Sequence, residues 1–191
     1  MRLSENFFKR DTEKVAQDLL GKTLVSESFK IRTSGKIVET EAYYGPDDPA
    51  SRAKEKKNKI NELMWGKAGL TLVYMVHGHW LLNVVTEGED VPGAVLIRAL
   101  EPLEGLETMK KRRSKNKLTE LASGPGKLTQ ALGINKSNHG ADLTISNEIY
   151  IKEPEKECQF EINSSYRIGV TEDLEEKNRF YINRNKHVSK L

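Results

Sequence analysis

The stretch GKIVETEAYYGPDD, residues 35–48, spaces two carboxylates and an aromatic ring at every second position. Read as a strand, it puts Glu39, Glu41 and Tyr43 on one face and Val38, Thr40 and Ala42 on the other. Lys36 is the only cation within three residues of either glutamate. Carboxylates beside a flat apolar surface suit general base chemistry, as in cleavage of glycosidic bonds, where water must be activated against an oxocarbenium-like centre. Plain surface charge on a solvated sheet face gives the same pattern. Spacing does not say which glutamate would be the catalyst. Arg98, in the apolar run AVLIRALEP, needs a carboxylate partner because its charge is costly to bury alone, and Glu41 or Glu39 is the candidate. A pair that only supports structure fits as well.

Two further clusters invite chemistry. HGHW, residues 77–80, sets His77 and His79 across Gly78. A zinc site would need remote carboxylates, since the chain has four histidines and one cysteine, Cys158. A turn at a hairpin tip is the better reading, and an exposed tip bearing such rings could also wedge into a base stack. SGPGK, residues 123–127, leaves backbone N–H groups at a helix start free to meet a phosphate, with Lys127 beside them. It lacks the glycine-lysine-serine/threonine ending of a P-loop, and a plain capping turn is the alternative.

The elements that must position these groups follow from periodicity and turn residues. Asp11 caps a short helix stopped by Gly21. TLVSESFKIRTSGKIVETEAY reads as strands with a turn at Ser34–Gly35. Residues 44–69 read as irregular or partly helical. LTLVYMVHGHWLLNVVT reads as two strands around Gly78, and AVLIRALE as another. A helix is expected from near Pro102, and a second with Pro125 in its first turn and Gly133 past its end. EIYIKE, YRIGV and RFYIN read as short strands, and RNKHVSKL as a tail. The expected fold class is α+β: one domain over residues 1–191 with its core at about 5–185, mostly antiparallel β-sheet with surrounding helices.

Composition bounds the partners. The chain has 191 residues, 37% hydrophobic and 31% charged, with a net charge of +3. Its cations are clustered: residues 52–67 hold six against two carboxylates, and KKRRSKNK, residues 110–117, holds six and no anion. Such runs suit an anionic partner on one face, or a solvated helix face. No run approaches a membrane span, the first residues lack a signal core, and a lone cysteine excludes an internal disulfide, so a cytoplasmic protein is expected.

VETEAYYGPDDPAS, LVYMVHG, LLNVV, LIRALEPLEGLETM, LASGPGKLTQALGINKS, RIGV and RFYIN, in this order from about residue 5 to 185, resemble the alkyladenine (3-methyladenine) DNA glycosylase family. The resemblance implies a monofunctional, metal-free enzyme without a cofactor. It would bind double-stranded DNA, flip out a damaged purine and hydrolyse its N-glycosidic bond in base-excision repair. By position, Glu41 matches the base that activates water, Arg98 the arginine that helps hold that water, and Ile168 the residue whose backbone carbonyl completes its shell. Glu39 matches a structural glutamate. Tyr43 and Tyr74 match the aromatics that sandwich the base, and Asn83 the residue on the pocket floor. The tip at His77, Gly78 and His79 matches the protruding hairpin that fills the gap in the duplex. Lys57, Ser123, Gly124 and Lys127 are the expected phosphate contacts. A monomer, nucleoid-associated in a prokaryote, is the implied form. A non-catalytic damaged-DNA-binding module on the same scaffold is the alternative.

The chain departs from the family pattern in three places. Arg52 stands on the pocket wall where many members have histidine. A fixed charge there disfavours cationic alkylated purines and predicts a preference for neutral lesions such as hypoxanthine, unless the side chain turns out to phosphate. His77 stands where tyrosine is common, and the segment to Asn83 is one residue shorter than in some members, so His79 and Trp80 also compete as the wedge. The loop 54–63 lacks the usual glycine and threonine-arginine pattern, which implies rearranged phosphate contacts.

Overall fold

The computed structural model describes residues 1–191 apart from Phe29, Glu157 and Leu191. In chain order the elements are α1 (Glu5–Phe8), α2 (Thr12–Asp18), β1 (Thr23–Ser28), β2 (Ile31–Tyr43), β3 (Thr71–Val76), β4 (His79–Val85), β5 (Ala94–Glu104), α3 (Leu106–Arg113), α4 (Pro125–Leu132), β6 (Ile149–Lys152), β7 (Ile162–Ser165) and β8 (Arg179–Ile182), with short 3-10 turns between them. The strands form one antiparallel sheet in the order β3-β4-β5-β2-β1-β6, with β8 added to β2 and β7 to β8. The fold is α+β, as the hydrophobic pattern implied.

The 13-residue β2 is the spine of the sheet. One edge pairs with β5. The other is shared: residues up to Lys36 pair with β1, and Glu39, Thr40 and Glu41 pair with β8. The register against β5 shifts between Ile37 and Thr40, next to both glutamates. Such a bulge re-aims side chains locally. Helices α2 and α4 cover this region with Val15, Ala16, Leu128, Ala131 and Leu132, which pack in the main core with Ile37, Val38, Val95 and Ile97. Burying each of the larger side chains is worth about 1.5–3 kcal/mol, so β2 is held rigidly from both sides. A smaller core of Ala53, Met64, Leu72, Val85 and Ala94 fastens the irregular 52–65 segment to β3 and β4.

The Asp11 cap forms, its carboxylate accepting the Lys14 amide at 3.0 Å. Four expectations need correction. The reversal between β1 and β2 falls between Ser28 and Ile31, and Ser34–Gly35 lies within β2. Gly35 serves close packing there: a Cβ would lie 2.9 Å from that of Leu100. Pro102 ends no strand; β5 runs to Glu104, with Pro102 opposite Gly35 at a register irregularity where a missing N–H is tolerated. The helix starts only at Leu106, after Gly105 at φ 73°, where a Cβ would meet the Arg32 carbonyl at 2.5 Å. YRIGV is not a strand, because the amides of Arg167 and Ile168 go to the carboxylates of Asp173 and Glu41 instead of a ladder. Finally, the 186–190 segment is no loose tail. Val188 is buried in the main core, Ser189 bonds Glu39, and the Lys190 carbonyl accepts from Arg179.

Candidate active site

Glu39 and Glu41 are both fully buried, which removes the solvated-face reading of their alternation. Arg98 reaches across from β5 and forks between them, donating from Nε to Glu39 at 2.9 Å and from NH1 to Glu41 at 3.1 Å. Glu41 accepts two further bonds: the Tyr43 hydroxyl at 2.8 Å on the oxygen that Arg98 holds, and the Ile168 amide at 2.7 Å on the other. A carboxylate offers about four lone-pair positions. Protein donors meet three of them. Burial pushes the Glu41 carboxyl above the ordinary carboxylate range, while Arg98, the Ile168 amide and the Tyr43 hydroxyl pull it back. Burial and the neighbouring Glu41 push the Tyr43 hydroxyl far up, so it stays a proton donor.

In front of these groups opens a cavity of about 730 Å³. Tyr43, Tyr74, Arg52, Arg98, Ile168, His77 and His79 line it, with Leu81 and Leu96 among the apolar wall. The structure thus brings together seven of the residues singled out in the sequence. Glu41 lies immediately behind the wall formed by its own partners. Arg52 keeps its side chain at the cavity: its guanidinium lies 5.0 Å from the centre of the Tyr74 ring and pairs with Glu55 at 3.0 Å. Asn83 is buried outside the lining and donates to the Leu72 carbonyl at 3.1 Å. At the hairpin between β3 and β4, His77 and Gly78 take φ values of 48° and 80°, the left-handed pair of a tight two-residue turn. His77, Gly78 and His79 are exposed. Trp80 packs against the core, and its carbonyl accepts from Thr129 at 2.8 Å.

The first turn of α4 abuts this hairpin. Pro125 and Gly126 line the cavity, and a Cβ on Gly126 would meet that of His79 at 2.7 Å. Ser123, Gly124 and Lys127 stand just beyond the lining, with Lys127 exposed. Lys57 is exposed and lies 5.5 Å from the Trp65 ring, away from the cavity. The second basic run is partly structural: Arg112 donates to the Ala131 carbonyl and Arg113 to the Leu121 carbonyl, both at 3.1 Å. Among the described residues, no cluster of three or more His, Cys, Asp or Glu side chains is placed to hold a metal ion. No helix there is long and apolar enough to cross a membrane.

Sequence reasoning passed over a second layer. Arg167, buried, clasps Asp48 with two bonds of 2.7 Å, pairs with Asp173 at 2.6 Å and bonds the Ala42 carbonyl at 3.0 Å. Its guanidinium lies 4.6 Å from the centre of the Tyr43 ring. Asp48 also accepts from the Tyr44 and Ala50 amides, which fixes the turn that follows β2. Arg179 and Ser189 bind Glu39 from the opposite side to Arg98's own strand. The available signal for Arg167 was GPDD, whose two carboxylates have no cation within three residues, against the arginine of RIGV.

A family model described as methylpurine-DNA glycosylase matches residues 6–186. The chain is 45% identical to a protein of Chlorobium phaeobacteroides over 97% of this chain and 95% of that one. It is 43% identical to one of Clostridium perfringens over the full length of both, and 44% identical to one of Bacillus licheniformis over 96% of this chain and 94% of the other. All three are provisionally named 3-methyladenine DNA glycosylase. The buried Glu–Arg–Glu cluster behind an aromatic cavity and this full-length likeness lead to one assignment: the chain belongs to the methylpurine-DNA glycosylase family.

Proposed function

We propose that this protein binds duplex DNA, draws a damaged purine nucleotide into the cavity between Tyr43 and Tyr74, and hydrolyses its N-glycosidic bond with a water activated by Glu41. The observation that carries this reading is the fully buried Glu41, held by three donors that all come from residues lining the cavity.

Water attacks the anomeric carbon and gives its proton to Glu41. The glycosidic bond breaks, its electron pair leaves with the purine, and an abasic site remains. Arg98 keeps Glu41 ionised within a dry site by attraction. Ile168, whose amide fixes Glu41, presents its carbonyl near the same water. The purine stacks on the tyrosines, each stack being worth about 1–3 kcal/mol and offsetting the few kcal/mol needed to unpair the base. The exposed tip at His77–Gly78–His79 fills the gap in the duplex, with His77 at the point of the tight turn. Asn83 supports the floor from beneath. Lys57, Lys127 and the backbone at Ser123–Gly124 meet phosphates.

Arg52 narrows the substrate class. Its charge stands at the face of Tyr74, so neutral deaminated purines such as hypoxanthine are favoured over cationic alkylated ones. The test is release of free base from duplexes holding one hypoxanthine, ethenoadenine, 7-methylguanine or 3-methyladenine. Release from any of them supports the glycosylase reading. Salt-dependent duplex binding with no release from any lesion would replace it with a non-catalytic damage-binding module.

A further inference from the structure

Glu39 has no part in the reaction proposed above, yet it is fully buried and saturated with donors. Arg98 donates to one of its oxygens at 2.9 Å, Arg179 at 2.8 Å and the Ser189 hydroxyl at 2.8 Å. The Ser189 amide donates to the other oxygen at 2.6 Å. We propose that Ser189 is a positioning residue for catalysis, acting through Glu39 and Arg98 on the orientation of Glu41. The inference rests on the reading of Glu41 as the base.

The physical argument is a competition. Arg98 is shared by two buried carboxylates, and its position reflects the pull of each. Ser189 supplies two of the four bonds that satisfy Glu39, which lets the arginine extend its NH1 to Glu41 at 3.1 Å. Without those donors Glu39 is left to Arg98 and Arg179 and draws Arg98 towards itself, because a buried carboxylate short of hydrogen-bond donors is unfavourable. The bond to Glu41 lengthens and its ionised form loses support. Ser189 lies outside the cavity lining, so substrate binding is unaffected.

The charged and titratable groups facing this pair are few. Glu39 meets Arg98 from β5 and Arg179 from β8. Glu41 meets Arg98 and Tyr43, with Tyr74 across the cavity and Arg167 behind the Tyr43 ring. His187, two residues before Ser189, interacts with Glu101 and Lys36 instead. The acid limb of the rate profile is assigned to Glu41 as the base of the proposed reaction.

The experiment is single-turnover base release from a hypoxanthine-containing duplex across pH, with protein in excess. Ser189→Ala removes the hydroxyl donor, Ser189→Pro removes both donors, and Ser189→Thr keeps both. Duplex affinity and thermal unfolding are measured alongside, with Glu41→Gln as reference. The expected result at mildly acidic pH is a loss of about threefold for Ala and about tenfold or more for Pro, with Thr within about twofold of wild type. The acid limb moves to higher pH in Ala and Pro, the rates converge on wild type as pH rises, and affinity stays constant. A loss uniform across pH, a loss that follows affinity, or no loss overturns the proposal; if Ser189→Pro does not fold, the Ala and Thr pair decides alone. Retention of release by Glu41→Gln would instead overturn the reading of Glu41.

Discussion

Arg52→His tests the substrate preference proposed for the cavity wall. The guanidinium lies 5.0 Å from the Tyr74 ring centre, and a base stacked on that ring sits at a similar distance from its charge. At an effective dielectric of about 20, two unit charges about 5 Å apart repel by about 3 kcal/mol. Glu55, 3.0 Å from the guanidinium, is then roughly 8 Å from the base and returns about 2 kcal/mol on the same scale. The net penalty for a cationic purine is about 1 kcal/mol, and solvent screening of a side chain that is 40% exposed reduces it to roughly 0.5–1 kcal/mol. That corresponds to a factor of about two to five in rate. Single-turnover release should be compared on matched duplexes holding hypoxanthine or 7-methylguanine. The ratio of hypoxanthine to 7-methylguanine release is expected to fall about two- to fivefold in Arg52→His. An unchanged ratio, or one that rises, refutes the reasoning, because only the charge on the cavity wall distinguishes the two lesions in this argument.

Asp48→Asn leaves Arg167 without its bidentate partner and should destabilise the protein by about 3 kcal/mol in denaturant unfolding. Burial pushes the Asp48 carboxyl up, but the Arg167 bonds outweigh it and hold the group below its usual 3.8. This contribution is therefore complete above about pH 4 and is lost as pH falls through the lower folded value, so wild-type Tm should drop there while the variant lacks that component. Lys127→Ala should reduce the slope of log affinity against log salt by about 0.9, measured by duplex titration at several salt concentrations, with no change in lesion ranking.

Much of the fold was legible because its signals are local. The alternation in β2, the two-residue turn at His77–Gly78 and the Pro125 start with its Gly133 stop each come from short-range rules. The errors share one cause. Gly35, Pro102 and the Arg167–Ile168 amides look like turn, helix start and strand residues until their tertiary partners are known. At the site, alternation and the buried Arg98 pointed to the Glu–Arg–Glu cluster without fixing which glutamate faces the cavity. Arg167, Arg179 and Ser189 were missed because each acts on a residue more than a hundred positions away, and no spacing rule reaches that far. The basic run at 110–117 was read too generously, since Arg112 and Arg113 bond backbone carbonyls near α4.

The most direct test of the central claim is single-turnover release of free base by wild type and Glu41→Gln from the same lesion duplex, with duplex affinity measured in parallel. The glutamine keeps the shape, but its single acceptor oxygen can serve either Arg98 and the Tyr43 hydroxyl or the Ile168 amide, and it cannot take a proton from water. Release is expected to fall by about 10²–10⁴-fold while affinity holds within a few-fold. Release at the wild-type rate by Glu41→Gln would contradict it and move the base to another residue of the cavity.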